Sequence, residues 1–378
     1  MQSSERPLIS VVIPTRERVE TLRFTLRTVL DQQSDRLEIV VADNASSDGT
    51  REFVASVRDQ RVRYVNSGKR LSMSANWELA VQHSRGDYIV IIGDDDAFMP
   101  GAIDRLIGDI GITRSDVYVW PKHTYVWPTS GRDAYVERLA ATTSPGWLDL
   151  ESLSRFVLRM GGWRYSLLPS MYHSLVSRRI PDAIRERHGR VYHTTEPDVF
   201  MMMGIPTFTT RAWDLGYFVT AHGRSPKSNG WVFTVNEAPV GQLRFLAEYG
   251  DYELHPTLYP GIPRLANLTA DTLLRARDMF IEHYGSVEFG YDAMWAYICR
   301  EAAVFKWQVG PWDVIRKRKE ISRYHRLRLT RFAVYLALQT AAEGRARVLR
   351  RTMRSRKAPP DIAAFVRTIV PALASESE

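Results

Sequence analysis

The sequence has a single cysteine, Cys299, among its 378 residues. One cysteine cannot form a disulfide within the chain or a cysteine-based metal site, which fits a reducing compartment. Long apolar runs are also missing, and none approaches the roughly 18 residues that a membrane-spanning helix needs. The first residues, Met1 to Arg6, are polar and predict no signal peptide. We therefore expect a cytoplasmic protein that is not integral to a membrane.

Glycine-rich nucleotide loops are absent where they would be expected. No G-x-G-x-x-G follows the first apolar strand, and Pro14–Arg18 contains no glycine. The first absence disfavours a dinucleotide-dependent oxidoreductase. The second disfavours a nucleotidyltransferase, which usually has such a loop there, although this class stays open as an alternative.

Net positive charge is confined to a segment near the C-terminus, and the rest of the chain is net negative. Fifteen Lys or Arg and three acids lie between Asp313 and Lys357, so this segment exceeds the total charge of +8 by itself. It is interpreted as a solvated helical face or as a surface for an anionic membrane. The apolar run Phe332–Leu338 favours the membrane interpretation. Nucleic acid is not expected as a partner, since no recognised binding module accompanies the charge.

The first 120 residues alternate between strand and helix patterns. Buried-strand patterns occur at Leu8–Ile13, Leu37–Ala42, Val62–Val65, Tyr88–Ile92 and Val117–Trp120. Helical spacing of apolar residues separates them, and such alternation predicts an α/β fold with a mostly parallel, Rossmann-like sheet and helices on both faces. The pattern divides the chain into residues 1–125, 126–240 and a helical, basic extension at 241–378. Within the extension we predict a helical pattern over Pro311–Thr352 and a loose tail after Ala358.

Polar and acidic residues follow the strands whose carboxyl ends meet in such a sheet. Pro14 to Arg18 follows the first strand, Asp43 to Thr50 the second, and Gly93-Asp94-Asp95-Asp96 the fourth. Ligands bind at this edge in open parallel sheets. Three adjacent carboxylates repel one another unless a divalent cation or water compensates them, so Mg²⁺ or Mn²⁺ is expected here. A solvated acidic turn that caps the next helix is the alternative.

The order of these motifs resembles glycosyltransferase family 2. The resemblance covers about Pro7 to Leu106 and rests on PTRER, LDQQ, DNASSDGT, SMSANWELA and RGDYIVIIGDDDAFMPGAI. It implies the GT-A fold and an inverting glycosyltransferase that takes its sugar from a nucleotide sugar. One departure is Gly93, which stands where many members have the first Asp of the metal motif.

The resemblance also implies roles for individual residues. Pro14, Thr15 and Arg18 are expected near the nucleotide, Asp43 at the base and Asn76 at the nucleotide pocket. In the DxD-like motif, Asp94 and Asp95 are expected to contact the donor, Asp96 is the expected direct metal ligand, and Asp95 is a second candidate ligand.

An inverting enzyme also needs a general base for the acceptor hydroxyl. The family places a carboxylate about a hundred residues after the metal motif, at the start of a helix. Asp198 fits this place, and Glu196 is its competitor; simple helix capping around Pro197 is the alternative to both. His222, in a segment that resembles a flexible loop over the donor, is expected to complete the metal shell.

The predicted function is metal-assisted single displacement from a nucleoside diphosphate sugar, with a UDP-sugar favoured. The acceptor is expected to be a hydroxyl of a glycan, a lipid-linked glycan or a small molecule, as in polysaccharide biosynthesis. Trp163, Arg164, Tyr172, His173 and aromatic residues near Trp231 are candidates for an acceptor groove. A non-catalytic module that binds nucleotides or membranes is the second alternative, and intact Asp96 and Asp198 argue against it.

Overall fold

The structure is a computed structural model, which describes residues 7–129, 132–137, 144–228, 244–260, 265–304, 310–352, 354–355 and 358–374. The candidate acceptor residues near Trp231 lie outside these ranges.

The described strands form two sheets. The larger sheet has the order β3-β2-β1-β4-β10-β6-β11-β9, and six of its eight strands run in one direction, with β10 and β9 opposed. The smaller sheet has the order β13-β8-β7-β12-β5. The strands are β1 Ile9–Thr15, β2 Leu37–Asp43, β3 Val62–Asn66, β4 Tyr88–Ile91, β5 Ala97–Phe98, β6 Val117–Val119, β7 His123–Val126, β8 Tyr135–Glu137, β9 Gly146–Asp149, β10 Leu175–Ser177, β11 Arg211–Asp214, β12 Thr220–Arg224 and β13 Arg354–Ser355.

Helices cover both faces of the larger sheet. The described helices are α1 Val19–Leu30, α2 Thr50–Ser56, α3 Met73–His83, α4 Ala102–Thr113, α5 Leu150–Arg159, α6 Arg179–His188, α7 Pro197–Gly204, α8 Leu265–Met279, α9 Ile281–Tyr284, α10 Tyr291–Val304, α11 Pro311–Arg316, α12 Arg318–Ile321, α13 Leu329–Thr352 and α14 Ile362–Ala374.

Alternate residues of β1 pack on opposite faces of the larger sheet. Val12 packs into one core cluster with α3, while Val11 and Ile13 pack into the other with α1 and α4. Successive strand residues point to opposite faces, and strands buried on both faces are apolar throughout. The predicted α/β fold class, a mostly parallel sheet with helices on both faces and a helical C-terminal part, is confirmed.

The helical pattern predicted over Pro311–Thr352 is present as three helices, with breaks at Lys317 and at residues 322–328. A second prediction about the C-terminal part is wrong. The tail after Ala358 is not loose, because α14 packs Ile362 and Phe365 into the core beside α1 and β5. The periodicity of apolar residues does not by itself show that this segment packs on the core.

Within the described residues, every helix is too short or too polar to span a bilayer.

Candidate functional site

The polar ends of β1 and β4 meet directly. Thr15, the last residue of β1, donates its hydroxyl to Asp94 Oδ2 at 2.6 Å. Arg18 places Nη1 3.0 Å from Asp94 Oδ1 and 3.8 Å from Asp95 Oδ2. Burial raises the pKa of Asp94 to about 6, with neighbouring carboxylates adding to this and Arg18 opposing it. The loop after β1 therefore supplies a cation, Arg18, that partly balances the charge of the acidic motif.

Asp43 ends β2 at the same edge of the sheet and is fully buried. Its Oδ2 accepts hydrogen bonds from Tyr64 Oη at 2.6 Å and from Asn66 Nδ2 at 3.1 Å. Its Oδ1 accepts from the backbone N–H of Ser46 at 3.1 Å. These donors fix the carboxylate at the sheet edge, and Oδ1 keeps capacity for one further donor.

Asn76 lies behind this edge on α3. Its Nδ2 donates to the backbone carbonyl of Ala42 at 3.1 Å, which ties α3 to the end of β2. Its Oδ1 is buried without a partner among the described residues. A buried polar atom without a partner is rare and costly, so it suits a site that a ligand completes.

The three consecutive aspartates face three different partner sets. Asp94 binds the loop after β1, as described above. Asp95 Oδ2 accepts from the backbone N–H of Ser225 at 3.1 Å and from Ser228 Oγ at 2.6 Å. Asp96 instead faces the side chains of Tyr172, His173 and His222. One short turn thus links the β1 loop, the segment after β12 and a group of histidines.

Asp96, His173 and His222 form a candidate metal centre. One ligand atom from each residue lies within 4.8 Å of the others. His173 Nε2 is 3.0 Å from Asp96 Oδ2 and lacks a hydrogen bond, while its Nδ1 is 2.7 Å from Thr220 Oγ1. A buried imidazole nitrogen that faces a carboxylate without a hydrogen bond fits a metal ligand whose other nitrogen is held in place.

Strand pairing brings both histidines to Asp96. The segment before β10 pairs with the end of β4, where the His173 backbone N–H donates to the Ile91 carbonyl at 3.0 Å. On the other side, β12 pairs with β5 directly after the aspartates and so places His222 beside them. The prediction that Ala221 to Gly230 begins as a loop is wrong, because Thr220–Arg224 is a strand.

Burial sets the protonation of this centre. It lowers the pKa of His222 to about 4 and that of His173 well below 6.5, so both imidazoles are neutral near pH 7. Neutral imidazole is the form that binds metals. Burial also raises the pKa of Asp96 to about 7. A cation would replace the proton that this carboxyl holds at lower pH.

Two glycines allow the close approach around the aspartates. A Cβ on Gly93 would lie 2.8 Å from Asp95 Oδ1 and 3.0 Å from Asp96 Oδ2. A Cβ on Gly223 would lie 1.6 Å from the Asp95 carbonyl oxygen. Any side chain at Gly93 would therefore have to displace the carboxylates of Asp95 and Asp96 from these positions.

The candidate base lies at the start of α7. Asp198 is in the first turn of this helix, and burial raises its pKa. Tyr172 donates its hydroxyl to Asp96 at 2.8 Å, and its own pKa is raised by burial and by the charges of Asp96, Asp95 and Asp198. Asp198 is therefore close enough to act electrostatically on a residue that contacts the metal centre.

Glu196 is more deeply enclosed than Asp198. It is 8% exposed, Oε1 accepts from Thr269 Oγ1 at 3.2 Å, and Oε2 has no partner among the described residues. Burial raises its pKa well above 4.5, and the charge of Asp198 adds to this. A carboxyl that keeps its proton is a poor base, so this environment favours Asp198.

Replacing Glu196 by Gln is expected to stabilise the protein, and more so at higher pH. The native carboxyl binds a proton that the unfolded one releases above about pH 4.5. Stability therefore falls as pH rises through the window between the unfolded and the native pKa, by up to about 1.4 kcal/mol per pH unit. Gln removes this loss, and thermal unfolding across a pH series measures it.

The matched control is Glu20→Gln on the exposed side of α1. This substitution should change the melting temperature equally little at every pH. An effect of Glu196→Gln that does not vary with pH would show that Glu196 titrates near its ordinary value.

Residues 248 and 249 pack against the loop after β1 and the start of α3. Glu248 accepts from Arg16 Nη1 at 2.9 Å and from Arg70 Nη2 at 2.9 Å. Tyr249 Oη is 3.1 Å from Ser74 Oγ and donates to the Thr195 carbonyl at 3.2 Å. These two residues join the β1 loop and the start of α3 to the segment that carries Glu196 and Asp198.

Several residues of the site have contacts that the sequence does not predict. Tyr172 and His173 are candidates for an acceptor groove in the sequence, whereas in the structure they contact Asp96. No sequence motif singles out Glu248 or Tyr249. No spacing signal links His173 to His222, because the two reach Asp96 through different strands. Trp163, in contrast, packs at the edge of the core, with Arg164 over its ring at 4.9 Å.

Comparison with known proteins finds a family match for the region that contains β1, β2 and the aspartate turn. Residues 10–139 match the model of glycosyl transferase family 2. Over 117 residues the chain is 37% identical to abequosyltransferase RfbV of Salmonella typhimurium, covering 30% of this chain and 35% of that protein. Over 104 residues it is 29% identical to the GalNAc(5)-diNAcBac-PP-undecaprenol beta-1,3-glucosyltransferase of Campylobacter jejuni, covering 27% and 34%. The matches thus span about a third of the length of these relatives.

Among solved structures, S. aureus TarS 1-349 in complex with UDP-GlcNAc is similar over 89% of this chain and 92% of that one. The identity is 13% and the TM-score 0.49.

Proposed function

Because residues 10–139 are a family 2 glycosyltransferase domain, we propose that the protein transfers a sugar, with inversion, from a nucleoside diphosphate sugar to an acceptor hydroxyl. The observation that carries this proposal is the meeting of Thr15, Arg18 and Asp43 with the aspartate turn at one sheet edge. We assign donor binding to residues 1–125 and acceptor binding to residues 126–240.

The base of the donor is proposed to bind at Asp43. The free capacity of this carboxylate is for a hydrogen-bond donor, which uracil supplies through its ring N–H. Cytosine presents an acceptor at the corresponding ring nitrogen and would be repelled. Uracil is therefore favoured over cytosine, and Asn76, with its unpartnered Oδ1, closes the pocket.

A divalent cation on Asp96, His173 and His222 is proposed to neutralise charge on the departing diphosphate. The set contains two imidazoles and one carboxylate, so His173 takes the place that the sequence suggests for Asp95. Since imidazole suits softer ions than Mg²⁺, Mn²⁺ is the better candidate of the two. Asp95, engaged with Ser225 and Ser228, is proposed to face the donor rather than the ion.

The transfer step is proposed to use Asp198 as the general base. The acceptor oxygen forms a bond to the anomeric carbon while the bond from that carbon to the diphosphate oxygen breaks. Asp198 takes the acceptor proton, and the nucleoside diphosphate leaves from the opposite face. A single displacement of this kind inverts the anomeric centre. Arg18, which pairs with Asp94 in the free protein, is placed to follow the negative charge of the diphosphate.

The acceptor class is proposed to be a glycan, with a lipid-linked glycan favoured and the enzyme at the cytoplasmic side of the membrane. One supporting observation is that the relative from Campylobacter jejuni is named for a PP-undecaprenol-linked acceptor.

Calorimetry with UDP, GDP, dTDP and CMP, each with and without Mn²⁺, tests this proposal. We expect UDP to bind in the presence of Mn²⁺ and CMP to bind far more weakly. Failure of every nucleotide under both conditions would contradict the donor site and favour a non-catalytic module. Binding of nucleoside triphosphates with release of pyrophosphate from a sugar phosphate would favour a nucleotidyltransferase instead.

A further inference from the structure

A basic, aromatic surface lies on the C-terminal helical part. We define the basic-aromatic patch as the exposed or half-exposed apolar and cationic side chains of residues 312–326. Its apolar members are Trp312, Ile315 and Tyr324, which are 75%, 38% and 37% exposed. Its cations are Arg316, Lys317, Arg318, Lys319, Arg323 and Arg326. Tryptophan is usually well buried, and Trp312 is the most exposed tryptophan in the part of the chain that the structure describes.

The patch is held in place from below. Val314 and Ile321 are buried and anchor α11 and α12. His325 is fixed by Trp295, whose indole N–H donates to its Nε2 at 2.7 Å, and by the Thr257 carbonyl, 2.7 Å from its Nδ1. Trp312 and Ile315, three residues apart on α11, then lie on one outward face. Their exposure follows from the packing of the inner face, since the anchoring residues take up the core side.

The charge of the patch is largely unbalanced. Its two acids are both engaged, Asp313 with Arg316 and the Gly310 backbone N–H, and Glu320 with Tyr259 Oη. Among the described residues, Arg318, Lys319, Arg323 and Arg326 have no carboxylate partner, and Lys317 lies over the Tyr259 ring. Six cations against two acids leave a net charge of +4.

We infer that the basic-aromatic patch docks on the surface of an anionic lipid bilayer. Exposed indole and phenol rings prefer the headgroup level of a bilayer, and clustered Lys and Arg are attracted by anionic headgroups. A second copy of the chain, docked patch to patch about a two-fold axis, would bring one positive surface against another. The combination of charge and exposed aromatic rings thus selects lipid over self-association.

The apolar run Phe332–Leu338 contributes less than the sequence suggests. Phe332 is buried at 3% exposure, whereas Val334 and Leu338, one turn apart on α13, are 58% and 56% exposed. Only one face of that helix is therefore available to a bilayer. The side chains of residues 345–357, with the remaining basic clusters, lie outside the described residues.

The inference rests on the proposed function and deepens it, because docking would bring the enzyme to a lipid-linked acceptor. Its test does not use activity. Flotation with phosphatidylcholine vesicles, with and without phosphatidylglycerol, is measured for the wild type, for Trp312→Ser and for Arg318→Glu with Lys319→Glu. We expect binding only to the anionic vesicles, with a loss of roughly fivefold for each charge removed and more for each charge reversed.

Matched controls separate the patch from general charge and hydrophobicity. Arg27→Glu with Arg58→Glu changes the net charge by the same amount in the N-terminal part of the chain. Ile112→Ser removes an apolar residue outside the patch that is 82% exposed. Circular dichroism and melting curves establish that each variant folds.

Three outcomes would overturn the inference. They are failure of the wild type to bind anionic vesicles, equal binding by the patch and control variants, and a patch-dependent dimer or duplex DNA complex that excludes vesicles. A protein that binds vesicles but no nucleotide would contradict the proposed function while leaving the docking inference intact.

Discussion

Replacing Asp198 by Asn is expected to remove sugar transfer while donor binding stays intact. The amide keeps the size of the side chain at the start of α7 but cannot accept the acceptor proton. General base catalysis contributes about 10²–10⁴-fold, so kcat should fall by that factor with little change in the Kd of the nucleotide. Transfer is measured by release of the nucleoside diphosphate, and binding by calorimetry on the same preparation.

The pH profile adds a second measurement to this prediction. A base works only when it is deprotonated, and burial raises the pKa of Asp198 above 3.8. For the wild type, kcat/KM should therefore decline on the acid side at a pH above 3.8. The residual activity of the Asn variant should lack this decline. A fully active Asp198→Asn enzyme would move the role to Glu196, whose deeper burial argues against it.

Replacing Asp96 by Ala is expected to abolish metal-dependent donor binding. Asp96 supplies the carboxylate of the three-residue centre, and the two imidazoles that remain carry no charge to offset the cation. Loss of a residue that merely supports a ligand already costs 10–100-fold in metal affinity, so loss of a ligand should cost more than about 100-fold. Mn²⁺ affinity, followed by electron paramagnetic resonance, and nucleotide affinity with Mn²⁺ should fall together.

The control for this variant is Asp104→Ala, an exposed aspartate on α4. It should leave both affinities unchanged. In the wild type, Mn²⁺ affinity should weaken by up to about tenfold per pH unit below about 7, because Asp96 then takes up a proton that competes with the cation. Unchanged donor affinity in Asp96→Ala would remove this residue from the metal centre.

The polar sheet edge at which we propose that the donor binds could be predicted from the sequence, because each of its parts is local. Asp43 ends a continuous apolar strand, and Asp94 to Asp96 follow another, so their positions in the fold depend only on the neighbouring residues. The order of strands with crossover helices then brings these ends to one edge. The structure places Thr15, Arg18 and the aspartates together at that edge, as their positions after the strands imply.

The proposed base and the candidate metal centre are harder to predict from the sequence. A choice between Asp198 and Glu196 depends on which carboxyl the surrounding helices enclose, and Thr269 on α8 contributes to enclosing Glu196. The sequence favours Asp198 and leaves Glu196 as its competitor, whereas the structure shows that burial raises the pKa of Glu196 well above 4.5 and also raises that of Asp198.

Apolar periodicity and the residues after each strand determined the α/β class, the polar edge of the sheet and the acidic turn, because these depend on interactions between neighbours along the chain. Only the tertiary structure decided that His173 and His222 meet at Asp96, that α14 returns to the core and that Trp312 faces outward. Such contacts join residues far apart in sequence, so they follow from the order of short strands and from what packs beneath each helix. Neither leaves a repeating pattern that a single sequence shows.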